Sequence, residues 1–222
     1  MEKFFICLAN SKKYNQRCIA GIELRKSSRE GYKYDIVRNG DNPAWIRPVS
    51  HSEHGEVSSE LVDHINILDI VKINLTAVVP RGYQSENVLF DNRRLQVVER
   101  IDKDRTLVDK LVTVNTTTLF GNRENAVHIN DIDRLNHSLV LIKPTNVHIY
   151  KTTGFRMNPQ IRAGFEYGKD RYDLPVTDID FEKRFNQDPS DLSAVTHLYF
   201  AVSLGTEFNQ QHYKLIAGIL YF

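Results

Sequence analysis

The sequence predicts a mainly β fold with a few short helices. Two observations carry this: most apolar segments repeat with a period of two, and helical spacing appears only in short windows. Val71, Ile73, Leu75, Ala77 and Val79 alternate with Lys72, Asn74 and Thr76, which describes a half-buried strand. Cys18, Ala20, Ile22 and Leu24 form a second such face, and Leu95, Val97 and Ile101 a third. Residues 198–204 and 215–222 are apolar on both faces, so these strands are expected to be covered on both sides.

Three short helices are expected. Over residues 58–66, Ser58 offers a cap, with Leu61 and Ile65 at helical spacing. Residues 106–112 give a turn or two. Over 180–187, Asp180 is placed to cap a helix whose Phe181 and Phe185 share one face, before Asp188-Pro189 ends it.

The polar stretch 116–137, rich in Asn and Asp, marks a boundary. It divides the chain into an N-terminal unit over 1–115, a connecting segment over 116–137 and a C-terminal unit over 138–222. Each half holds roughly enough strands for a five-stranded barrel of the OB type. The expected architecture is therefore two tandem OB-like β-barrels packed together, with a single larger barrel as the alternative.

The chain has 222 residues, 41% hydrophobic and 26% charged, the balance of an ordinary globular protein. Its 29 Lys+Arg against 28 Asp+Glu leave a net charge of +1, so any anionic partner must be met by a local patch. Cys7 and Cys18 sit in apolar runs and suggest buried thiols in a reducing compartment, with the cytoplasm as the default. The apolar run at residues 4–9 is too short for a signal core or a membrane span, so no membrane association is expected.

Trp45-Ile46-Arg47-Pro48-Val49-Ser50 holds the only tryptophan, after the turn signal Gly40-Asp41-Asn42-Pro43. Alternation puts Trp45, Arg47 and Val49 on one face, and Pro48 confines the segment to a sheet edge or strand end. Trp45 could stack a base and Arg47 hold a phosphate, with Ser50 donating a hydrogen bond; alternatively the tryptophan plugs a barrel. The loop following the first strand offers Ser11, Lys12 and Tyr14, with the second lysine, Lys13, for phosphate and sugar contacts. A second polar loop offers Arg81, Tyr83 and Gln84, with Arg93-Arg94 beyond it.

Other constellations are weaker. His51, His54, Glu56 and His64 invite a metal check, but no HExxH or CxxC accompanies them, and solvated histidines are the plainer reading. Asp173, Asp178 and Asp180 could hold Mg²⁺ in a nuclease, although capping accounts for such carboxylates equally well. Nucleophile-elbow, Walker and Rossmann patterns do not occur, so no catalytic residue and no cofactor is assigned.

Three ordered blocks carry a resemblance. They are Cys7-Leu8-Ala9-Asn10-Ser11-Lys12 with Arg17-Cys18-Ile19-Ala20-Gly21, then Trp45–Ser50 with Gly55-Glu56-Val57-Ser58. The last comprises Val202-Ser203-Leu204-Gly205, Phe208-Asn209 and Tyr213-Lys214-Leu215-Ile216-Ala217. Together they resemble the prokaryotic dual OB-fold family, the dual OB-containing domain. The resemblance implies two OB-like barrels in proteins of bacterial defence or mobile-element conflict that bind or sense nucleic acid rather than catalyse. The expected partner is single-stranded nucleic acid or a nucleotide-like ligand. A protein-interaction component that recruits or regulates an effector is the second reading, and a metal-dependent nuclease the third.

Overall fold

The alternating strands of the first hundred residues close into a barrel. The computed structural model describes residues 1–222 apart from 103, 115, 155–156, 190–194 and 196. Strands make up 53% and helices 12%, which establishes the mainly β class. β1 (Glu2–Lys13) and β2 (Gln16–Lys26) form a hairpin, β3 (Tyr34–Ile36) lies beside β2, and β4 (Arg38–Asn39) and β5 (Asn42–Pro43) lead into β6 (Trp45–Val49). After α1 (Ser59–Val62) come β7 (Asp69–Val78), β8 (Asn87–Phe90) and β9 (Gln96–Arg100).

β1 pairs with β2 on one side and β7 on the other, β2 pairs with β6, β6 runs parallel to β8, and β8 pairs with β7. The ring therefore runs β1-β2-β6-β8-β7 and back to β1. This is a closed five-stranded Greek-key barrel with its helix between the third and fourth strands. A bulge in β1 between Cys7 and Ala9 bends the strand so that it can serve both neighbours. Gly21 sits at this bend, where a Cβ would lie 2.0 Å from the Ile6 carbonyl oxygen. Only glycine permits that approach.

The second half repeats the order. α2 (Arg105–Asp109) is capped by Asp104, which accepts from the Thr106 and Leu107 N–H groups. There follow β10 (Ala126–His128), β11 (Leu139–Ile142), β12 (Thr145–Thr153), β13 (Pro159–Tyr167), β14 (Asp170–Pro175), α3 (Ile179–Gln187), β15 (Leu198–Phe208) and β16 (Gln211–Tyr221). β11 and β12 act as one strand broken at Lys143-Pro144: β11 pairs with β15, and β12 with β13. β13 pairs with β14 and β15 with β16, while the seam that would close the ring is a single parallel bridge, Val176 to Ile216. The result is a half-barrel. α3 again precedes the fourth strand.

Three apolar clusters follow from strand alternation. Phe5, Cys7, Ile46, Val71 and Phe90 fill the first barrel. Val140, Ile142, Phe165, Phe181, Phe200 and Val202 fill the second. Between them, Phe4, Ile6 and Leu8 from the outer face of β1 meet Leu139, Leu141, Tyr199, Ala201 and Ala217. The C-terminal strands are covered on both faces because one face lines a barrel and the other lines this shared layer. No described helix is long and apolar enough to cross a membrane.

Several expectations need correction. The polar 116–137 stretch does more than connect, since Leu119, Phe120, Val127 and Ile132 enter the second core and β10 joins β16. β6 is not an edge: it is paired on both sides. Pro48 is tolerated because the Arg47 N–H already bonds Glu86 O on the β8 side, so the proline nitrogen faces β2 beyond their last pair, Gly21 with Ile46. The cap of α3 is Asp178 rather than Asp180. α1 is a single turn, and Ser58 makes no side-chain capping bond.

Candidate functional site

In the first barrel the loop joining the first two strands and the loop joining the last two emerge on the same side. Tyr14 and Asn15 make a two-residue turn with φ of 46° and 62°. This turn projects Tyr14 outward, where its ring stacks on His54 at a centroid separation of 4.2 Å. Lys12 is exposed, whereas Ser11 is buried with its Oγ 3.4 Å from Cys18 O. Lys13 Nζ donates to His54 O. Burial lowers the pKa of the Lys13 ammonium; the charges of Arg47 and Arg81 push the same way, and Cys18 and Glu56 oppose them.

Arg47 is 3% exposed. Its Nε donates to Asn87 Oδ1 at 2.7 Å, and its Nη2 lies 3.0 Å from Glu86 Oε1. Glu86 Oε1 also accepts from Ser138 Oγ. The Arg47 charge is thus matched by a buried carboxylate, and the guanidinium serves as a fixed wall rather than a free phosphate ligand.

The second loop carries Arg81, Tyr83 and Gln84. Arg81 is exposed, with Nη1 3.4 Å from Glu53 O. Gln84 is buried, and its Oε1 accepts from Asn87 Nδ2. Tyr83 turns away into the second half: its Oη donates to Gly205 O at 2.7 Å and lies 2.8 Å from His212 Nδ1. Burial pushes the Tyr83 phenol up to about 12. Ser50 Oγ lies 2.5 Å from Glu56 O and 2.8 Å from Ser52 Oγ, which folds the 50–56 turn.

These elements surround a cavity of about 620 Å³ between the two halves. The first barrel contributes Ser11, Lys12, Lys13, Tyr14, Cys18, Arg47 and Gln84; the second contributes Arg162 from β13 and Phe208, Tyr213 and Lys214 from β15 and β16. A smaller cavity of about 210 Å³ shares Lys13, Cys18, Arg47 and Gln84 and continues to Ser50, His54 and Arg81. Among the described residues, no Asp or Glu lines either cavity. This is the local basic patch that a near-neutral chain needs for an anionic partner.

Besides Arg47, two further lining cations are committed elsewhere. Arg162 Nε bonds Asp173 Oδ1 at 2.5 Å and its Nη1 bonds Gln160 Oε1. Lys214 Nζ donates to Asn122 O, Asn122 Oδ1 and Glu124 O at 2.6–2.9 Å and lies 5.0 Å from the Tyr172 ring centre. Burial pulls the Lys214 ammonium down to about 7. Lys12, Lys13 and Arg81, by contrast, form no close ion pair with a carboxylate among the described residues. All three residues line the cavities, and Lys12 also lies within electrostatic reach of Glu182 on α3.

Of the expected site residues, Ser11, Lys12, Tyr14, Arg47 and Gln84 line the larger cavity, and Ser50 and Arg81 the smaller. Trp45 lines neither. It pairs with Ile22 and packs, half-buried, against the shared apolar layer. Tyr83 lines neither because it is planted in the second barrel. The sequence offered Lys13 together with Lys12 as a loop donor, but it did not single out Arg162, Phe208 or Tyr213 as site residues. Arg162 was accessible to alternation, since Ile161, Ala163 and Phe165 point inward; the cavity positions of Phe208 and Tyr213 depend on how the barrels dock.

The carboxylates near α3 do not converge. Asp178 is 2% exposed; its Oδ1 accepts from Phe181 N–H and its Oδ2 from Ile219 N–H at 2.9 Å. It is a structural tie between α3 and β16. Among the described residues no group of three or more His, Cys, Asp or Glu could hold a metal ion. Both cysteines are free.

Two halves that each follow the strand order of an OB barrel, with a basic cavity between them, define a dual OB-fold protein. The chain belongs to the dual OB-containing domain family, whose profile matches residues 3–219. No curated protein matches the sequence. Among solved structures, a murine DNA-binding protein bound to double-stranded DNA is similar over 100% of this chain and 96% of its own, at 8% identity and a TM-score of 0.33. A second, from work on the molecular basis for abrogation of activation of pro-inflammatory cytokines, matches over 100% and 92%, at 9% identity and a TM-score of 0.32. At such TM-scores neither likeness bears on the ligand.

Proposed function

We propose that this protein binds nucleic acid, or a nucleotide-like ligand, in the cavity between its barrels. The carrying observation is that the larger cavity and the smaller one continuous with it are lined by Lys12, Lys13 and Arg81, none in a close ion pair with a carboxylate, and by no Asp or Glu among the described residues, in a chain with a net charge of only +1. It lies beside the two loops with which OB barrels commonly meet their ligands. Lys12, Lys13 and Arg81 meet phosphate, Tyr14 offers an aromatic face, and Arg47 holds the wall in place.

The test is fluorescence anisotropy with a labelled single-stranded oligonucleotide across a salt series. Binding should weaken with salt. Lys12→Ala with Lys13→Ala should flatten the slope by roughly 0.7 for each phosphate that the variant no longer neutralises. Wild-type protein that shows no salt-sensitive binding to any oligonucleotide or nucleotide would overturn the reading. In its finer form, the protein is a cytoplasmic sensor of a prokaryotic defence system whose occupancy an effector protein reads. The two free thiols suit that compartment.

A further inference from the structure

In a single-strand-binding OB barrel the strand crosses one face between two loops, and each barrel covers about 4–16 nucleotides. Here both loops end on the other barrel. Tyr14 Oη lies 3.5 Å from Thr206 Oγ1, and Tyr83 Oη donates to Gly205 O at 2.7 Å. Gly205 and Thr206 are consecutive residues of β15, so the two loops close on one point of the second barrel. Lys12 N–H adds a further tie, to Thr177 O at 3.0 Å. The route a long strand would take is thereby interrupted by protein.

What remains is a compartment of about 620 Å³, within the range of roughly 300–1,000 Å³ typical of small-molecule sites. Its chemistry is divided. The lining cations without a close carboxylate partner, Lys12 and Lys13, belong to the first barrel; the second adds Phe208 and Tyr213, 52% and 43% exposed, beside Arg162 and Lys214, which are held by Asp173 and by Asn122 and Glu124. A ligand that satisfies both walls must carry phosphate at one end and a flat ring at the other.

We propose that the compartment takes a mononucleotide or dinucleotide, with phosphate against Lys12 and Lys13 and a base against Phe208 and Tyr213, rather than a polynucleotide. The proposal rests on the nucleotide-binding reading above and narrows it. Phe208→Ala with Tyr213→Ala removes base contacts but not phosphate contacts.

Isothermal titration calorimetry with 5′-phosphorylated oligothymidylates, from the mononucleotide to a sixteen-mer, tests it, with inorganic triphosphate as a base-free probe. Affinity per molecule should level off at the dinucleotide. The double aromatic variant should weaken dinucleotide binding roughly ten-fold while leaving triphosphate binding unchanged. Affinity that keeps rising beyond the tetramer would overturn the proposal while leaving the cavity as a nucleic-acid interface. Equal weakening of triphosphate binding in the aromatic variant would overturn the division of the walls. Absence of binding at every length would overturn both this proposal and the reading on which it rests.

Discussion

Gly218 of β16 and Leu8 of β1 meet backbone to backbone: a Cβ on Gly218 would lie 1.9 Å from the Leu8 carbonyl oxygen and 3.2 Å from the Ala9 Cα. The contact lies in the apolar layer shared by the barrels, so no flexible side chain can give way. Gly218→Ala should destabilise the protein by about 1–3 kcal/mol or more, because both backbones must part. Urea unfolding followed by circular dichroism checks this, with a lower midpoint expected and little change in slope.

Tyr83 fastens a loop of the first barrel to the second through Gly205 O and His212. Tyr83→Phe keeps the packing and removes the hydroxyl, while Gly205 O and His212 Nδ1, 3.0 Å apart, remain in contact with each other. A loss of about 1 kcal/mol is expected. Amide hydrogen exchange should quicken over residues 81–86 while the β7 amides stay protected.

Burial pushes Asp178 up to about 6, against its ordinary 3.8, despite its two backbone donors. Between those values the folded state holds a proton that the unfolded state has released. This contribution to stability is therefore fully present below about pH 4 and is lost as pH rises through 6. Asp178→Asn removes the titration and one acceptor. The wild type should exceed the variant most in acid, and the gap should shrink by about 3 kcal/mol by neutral pH. Denaturant midpoints of both proteins across this window provide the measurement.

Trp45 packs against the shared layer rather than lining either cavity. Trp45→Ala should cost about 2–4 kcal/mol of stability, somewhat under a fully buried aromatic. Trp45→Phe should keep oligonucleotide affinity within two-fold of wild type. Trp45 emission should shift strongly on unfolding and little on ligand binding.

Alternation exposed most of the strands, and helical spacing the shared face of Phe181 and Phe185, because both depend on local spacing. Alternation also placed Trp45, Arg47 and Val49 on one face, without deciding whether that face is open or covered. What covers that face is set by docking between residues far apart in the chain, which spacing cannot encode. This is why Trp45 proved to be packed and Arg47 to be paired with Glu86. Of the two positions Pro48 allowed, an edge or a strand end, it takes the second: it lies at the end of β6, beyond the last pair with β2. The cap at α3 moved from Asp180 to Asp178 because Ile219 N–H, supplied by β16, needs an acceptor that is remote in sequence. Lys12 and Gln84 were legible because both loops emerge beside the strands that hold them.

The apolar layer between the barrels gives the chain a property that neither barrel has alone. Cutting after residue 115 would strand Phe4, Ile6 and Leu8 in water on one fragment, and Leu139, Leu141 and Tyr199 on the other. Neither piece would be a usable module. A fusion that keeps the fold must therefore carry both barrels together.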